Sequence, residues 1–322
     1  MTQSQGLPFG KWPRNMKKNM KMHNVTVGLI AGIIVMLSAA ACGETELDPD
    51  LFGSSELSEI IRDDFYGRYS GGVTVTDVFT YDDGKTYVWF TDTDGLPCCS
   101  IYKGETWIFT QKEYDKTDFA FLGQLPVKIS RAYIRTGVDN ENYTIQAAYV
   151  REVSRRGIEK SQFEFEFYEP YGGENSFLTH NLTISADGEV LDHSYGGINE
   201  SFWWYDVDYC IEYVDSNYPE ATILGAINNS GGNVLFINDG GVRKSVRFRQ
   251  DSCDQIWYET VWQLDDDTVL PENVAREYAE YREENPDFAY TSVFYVERKD
   301  GAYYGLEMET GRLTGQTVFL KV

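Results

Sequence analysis

Hydrophobic positions fall into two rhythms that alternate along the chain. In "YDVDYCIEYVDSNYPE", Val207, Cys210, Ile211 and Val214 stand at i, i+3, i+4 and i+7. That spacing predicts one apolar helix face, closed by Pro219. "LPENVAREYAEYREENP" repeats the pattern with Val274, Tyr278 and Tyr281, opened by Pro271 and ended by Pro286. "SSELSEIIRDDFYGRYSGG" predicts a helix on Leu57, Ile60 and Ile61, stopped at Gly71 and Gly72. A fourth helix, with two β-branched Ile, is expected in "LPVKISRAYIRTG". Between the helices the period drops to two, with Gly, Asp and Asn at the breaks. The first helix is followed by "VTVTDVFTY", "TYVWFT", "CCSIY" and "TWIFTQK", and the third predicted helix by "ATILGAIN", "NVLFIN", "VRKSVRFR" and "DQIWYETVWQL". Strands of the same kind follow the other two helices, among them "FEFEFYE" and "KDGAYYGLEME".

One unit, a helix and then an antiparallel meander, is therefore written four times, and a period of this size calls for a repeat reading. Units one and three end in Trp-x-x-Thr, at Trp107/Thr110 and Trp257/Thr260. Units two and four open on Leu-Pro, at Leu125/Pro126 and Leu270/Pro271. The duplicated element is thus a pair of units. The expected fold class is α+β: repeated helix plus four-stranded antiparallel sheet units, in two domains over residues 56–198 and 199–322. A helix covers one face of each sheet, and the other is left to water or a partner.

These joins, with the Tyr-Pro and Asn-Pro helix ends and a final Asp-Gly hairpin, resemble the PepSY-like, β-lactamase-inhibitor-like lipoproteins of Bacteroidota. The matching residues are Trp107, Thr110, Leu125 and Pro126, then Trp257, Thr260, Leu270, Pro271 and Val274. The resemblance runs from Glu56 to Val322. It departs from the family in a long insertion in the second unit and in a first helix without a closing Pro. It implies a helix on a four-stranded sheet, tandemly repeated outside the inner membrane. It also implies binding or inhibition, with a secreted hydrolase as one partner, rather than catalysis.

Charge narrows the partners. The chain carries a formal −23, and from Cys42 onward 23 bases stand against 51 acids, a net of −28. So acidic a surface repels phosphate backbones, which excludes nucleic acid as the expected partner. The bases before Cys42 sit in a leader: basic "MKKNMKMHN", apolar "VTVGLIAGIIVMLSAAA", then Cys42. This order predicts a secretory signal over residues 1–41, with translation starting at Met16. A single membrane-spanning helix is the other reading of so short an apolar run, but small residues leading straight into Cys42 favour the signal. They resemble a lipobox, with Ala39 where Leu is commonest. Cys42 is then the lipidation site, residues 42–55 a tether, and the location the bacterial cell envelope, on the periplasmic side or the outer-membrane surface.

Chemistry is sparse. The chain has no G-x-S-x-G, H-E-x-x-H or G-x-x-x-x-G-K. With Gly95 at the sixth place of a calcium loop, Phe90 and Ile101 fall where carboxylates are required. "TDTDG" therefore reads as a hairpin turn. Cys98, Cys99, Cys210 and Cys253 lack C-x-x-C spacing, so buried thiols are favoured over zinc, and a disulfide stays open. No enzyme, metal or cofactor is expected. Aromatic residues are the better site material, at 23 Tyr, 18 Phe and 7 Trp. Alternation places Tyr87 and Trp89 on the strand face opposite Val88 and Phe90, and separates Tyr303 from Tyr304. Tyr87, Trp89 and Tyr303 are the candidate anchors for an extracytoplasmic protein. The alternative ligand is a glycan or another nutrient.

Overall fold

Helix α1 (Glu59–Arg68) starts where the Ser58 hydroxyl accepts the Ile61 N–H at 3.3 Å, capping one of the open donors of the first turn. It buries Ile61 and Phe65, one turn apart, and leaves Ile60, expected on the same face, 56% exposed. A step of one residue rotates a side chain by about 100°, so Ile60 and Ile61 cannot share one narrow stripe. This computed structural model describes residues 58–69, 71–81, 84–138, 146–170, 177–195, 208–229, 232–250, 256–265, 267–311 and 314–322. The expected signal, the tether with Cys42, Leu57, Val207, Cys253 and the boundary at 198–199 lie outside them.

Strands β1 (Thr74–Thr80), β2 (Lys85–Thr91), β3 (Pro97–Lys103) and β4 (Thr106–Glu113) follow as a meander. Next come the short α2 (Phe121–Gln124), then α3 (Val127–Arg135). After α3 run β5 (Gln146–Arg155), β6 (Gln162–Pro170), β7 (Phe177–Ser185) and β8 (Val190–Tyr195). The second half holds α4 (Asp208–Asn217), β9 (Thr222–Asn229), β10 (Gly232–Asp239), β11 (Val242–Gln250) and β12 (Ile256–Gln263). It ends in α5 (Glu272–Glu284), β13 (Ser292–Arg298), β14 (Gly301–Gly311) and β15 (Thr314–Lys321).

The four-stranded units of the expectation do not stay separate. Strands β1 to β8 form one antiparallel sheet in sequence order, and β9 to β15 form another. The joins are β4 with β5, where Thr110 faces Ser154, and β12 with β13, where Thr260 faces Glu297. Left unjoined, each Trp-x-x-Thr strand would expose a row of ladder groups; pairing removes that edge. Among the described residues the last unit has three strands rather than four. The coarser reading, helices on antiparallel sheets, describes the molecule.

Helix faces build the cores. Ile129, Ala132 and Tyr133 of α3 pack on Phe163, Phe165, Phe167, Leu182 and Ile184. Cys210 and Val214 of α4 pack on Leu235, Ile237, Val246 and Phe248. Val274 of α5, with Tyr278 and Tyr281 beside it, packs on Val293, Leu306 and Leu320. The sheets themselves touch through β6, β8 and β9. The Gln162 amide donates to the Ala226 carbonyl at 2.7 Å and accepts the Ala226 N–H at 2.6 Å, imitating a strand partner. Leu191 packs beside it with Ile227, Val234 and Phe236.

Candidate functional site

The repeated motif residues are joints. Trp107 lies half-buried against the α1 core, its Nε1–H donating to Thr110 Oγ1 at 3.0 Å, with the Arg68 guanidinium 4.0 Å over its ring. Thr110 is buried and also meets Ser100 Oγ at 2.6 Å and the hydroxyl of Tyr69, the residue that ends α1. Burial raises the Tyr69 phenol above its ordinary value. Thr260, also buried, meets the Tyr218 hydroxyl in the same way. The side chain of Trp257 lies outside the described residues. Each Leu-Pro opens a helix: Leu125 is buried and Leu270 half-buried against their cores, while Pro126 and Pro271 stand at the N-caps of α3 and α5.

The helix-free face of the first sheet is not the open platform that the sequence suggested. Tyr87, Cys99, Ile101, Phe109 and Val153 form a buried cluster there, with Trp89 packed against it. Further along, Arg151, Gln162, Glu164, Glu166 and Thr183 are buried as well. Exposure returns at the β1 edge. Phe79 and Tyr81 are 52% and 50% exposed. Their rings meet edge-to-face at 4.5 Å, and Tyr81 meets Tyr87 the same way at 4.8 Å. Phe79 pairs across the strands with Tyr87, and Asp77 with Trp89. Tyr87 thus forms the floor beneath Tyr81, and the accessible rings are Phe79 and Tyr81, which the sequence reading missed. The two-residue spacing of Phe79 and Tyr81 was legible, but the register that sets them beside Tyr87 was not.

Tyr303 is not brought to this patch. It lies on β14 in the other sheet, with Arg298 5.3 Å and Lys321 6.0 Å from its ring centroid. Its hydroxyl donates to Asp300, which raises its pKa.

A cavity of about 430 Å³ lies beside the end of α1, with Tyr69, Cys98, Thr110 and Glu152 in its lining. Lys112 sits in it with its Nζ 2.6 Å from Asp92 and 3.2 Å from Asp94. Burial pushes the Cys98 thiol up to about 12 and raises Cys99 too, so neither offers a thiolate at neutral pH. Cys98 and Cys99 are free thiols, and both they and Cys210 are buried. Among the described residues no group of three or more His, Cys, Asp or Glu could hold a metal ion. No described helix is long and apolar enough to cross a membrane.

No family model and no curated protein matches the chain. Solved structures do. A BLIP-like protein from Bacteroides fragilis is 15% identical, with 48% of this chain and 97% of that one covered and a TM-score of 0.36. A DUF2874 family protein from Bacteroides uniformis is 15% identical, with 43% and 89% covered and a TM-score of 0.30. The chain is similar to this BLIP-like protein over about half of its own length.

Proposed function

We propose that this chain is a non-catalytic binding module of the bacterial envelope, anchored through a lipidated Cys42. In this reading residues 56–198 and 199–322 are tandem domains of paired helix-and-sheet units. The partner is another extracytoplasmic protein, a secreted hydrolase being the class the sequence resemblance implies. One observation carries the proposal: two half-exposed aromatic rings, Phe79 and Tyr81, stand edge-to-face over a buried third, Tyr87. Rings held in place by their neighbours lose little entropy on binding, and aromatic anchors of this kind dominate protein interfaces. Glycan binding is the second reading, favoured by the same aromatic surface.

Affinity capture from envelope extract with the full chain in mild detergent separates the two. The expected result is one stoichiometric secreted protein, inhibited on mixing and lost with Phe79→Ala/Tyr81→Ala. That pair should cost about 2 kcal/mol or more of binding. Retention on a polysaccharide column with no protein recovered would replace the first reading by the second.

A further inference from the structure

Helix α3 turns Ile129, Ala132 and Tyr133 into the sheet and leaves Val127 and Ile134 65% and 52% exposed. Lys128, Arg131 and Arg135 share its outer side, all exposed. The β7–β8 turn at Asp187 and Gly188 stands beside the helix and walls a groove of about 620 Å³. Gly188 has a φ of +84°, and a Cβ there would lie 3.1 Å from the Lys128 carbonyl oxygen, so the turn abuts the helix backbone. Asp187 is already engaged by Lys128 at 3.3 Å and Lys160 at 2.7 Å. Arg131 and Arg135, one turn apart, make no ion pair with any described residue. The groove therefore presents two guanidiniums with no ion pair among the described residues, alongside two exposed aliphatic side chains, on a chain of net charge −23.

We propose that this groove takes an acidic peptide segment of a partner protein, its carboxylates on Arg131 and Arg135 and an aliphatic side chain between Val127 and Ile134. Guanidinium forks suit carboxylates, which they can bind through two parallel hydrogen bonds. Charge also decides against an anionic membrane. A bilayer is a wide plane that would face the acidic body along with the groove. A narrow peptide meets only the field within about 8 Å, the Debye length at physiological salt. This site is separate from the aromatic edge of Phe79 and Tyr81 and stands without it.

The test is fluorescence anisotropy of a short labelled Glu/Leu peptide with the full chain in mild detergent. The controls are the same peptide with Gln for Glu, and short-chain phosphatidylglycerol as competitor. Saturable binding of the Glu peptide is expected, weakened about tenfold or more by Arg131→Glu/Arg135→Glu and by added salt. Val127→Ser/Ile134→Ser should weaken it too. All these positions are on the surface, so thermal melts should stay unchanged. Absence of binding, or binding indifferent to the arginine pair, overturns the proposal. Equal binding of the Gln peptide, or displacement by the phosphatidylglycerol, overturns it also, the latter reassigning the groove to lipid headgroups.

Discussion

The Tyr218 hydroxyl lies 2.8 Å from Thr260 Oγ1, joining the residue just after α4 to the last strand of its meander. Tyr69 and Thr110 make the same joint in the first sheet. In both places the tyrosine N–H still closes the helix, donating to Phe65 O and Val214 O. The threonine of Trp-x-x-Thr therefore fixes where the preceding helix ends over the sheet. Tyr218→Phe should lower stability by about 1 kcal/mol, the usual net value of one intramolecular hydrogen bond. Thr260→Val alone should cost at least as much, because the half-buried phenol loses its partner. The double variant should cost less than the sum of the two, and urea unfolding of the four proteins measures the coupling.

Arg151 and Glu164 face each other on β5 and β6, both buried. Arg151 Nε and Nη2 reach one carboxylate oxygen at 2.7 and 2.6 Å, and the Gln162 amide donates to the other at 2.7 Å. Arg151→Met leaves a buried carboxylate and should cost about 3 kcal/mol or more. Arg151→Met/Glu164→Leu, which removes both charges, should recover most of that loss in a chemical melt. A double variant as weak as the single one would mean that the attraction, not the orphaned charge, dominates.

How much of this was legible is clear from particular residues. The α4 face was readable because Cys210 and Val214 sit at helical spacing, and both are buried. Alternation in β2 was readable too: Val88 and Phe90 join the α1 core while Tyr87 and Trp89 join the opposite cluster. The merging of units was not readable. Alternation says which face a residue takes but never which strand lies beside it. "FEFEFYE" misleads for the same reason. Alternation sets its glutamates opposite its phenylalanines, yet Glu164 and Glu166 are buried as well. Glu164 is met by Arg151, on another strand, and by Gln162, which also bonds to the second sheet, and no local pattern encodes either contact. The exposed rings of Phe79 and Tyr81 were overlooked because an edge strand and a central strand share one rhythm.

Gly225 lies where the two sheets meet. A Cβ there would lie 2.5 Å from Leu191 Cδ1 and 2.7 Å from Gln162 Oε1. The glutamine cannot withdraw without breaking its bonds to Ala226. Gly225→Val should therefore destabilise the chain by about 1–3 kcal/mol through overpacking. Gly240→Ala is the control for glycine substitution in general. It lies in a hairpin turn at φ +60° with nothing within 4 Å of the added atom, so it tests backbone strain without crowding. A Gly225→Val variant as stable as the native chain would show that crowding between the sheets is not what demands glycine at 225.

Acid should loosen the first sheet through one histidine. Burial, and then electrostatic repulsion from nearby His180, hold the His193 imidazole below its ordinary value of 6.5. Their rings are 6.3 Å apart. The folded chain disfavours the protonated form, so the unfolded chain binds more protons as the solution acidifies. The stabilising contribution of neutral His193 is complete above about pH 6.5, the unfolded value. It declines as pH falls below that and levels off beneath the folded value. One proton limits the slope to about 1.4 kcal/mol per pH unit. His193→Phe keeps an aromatic ring but cannot titrate. Its absolute stability can shift through packing, so the informative quantity is the pH dependence. Urea midpoints from pH 7.5 down to about 5 should fall more steeply for the native chain than for the variant, since carboxylate protonation is common to both. Parallel curves would show that His193 does not contribute to the acid sensitivity.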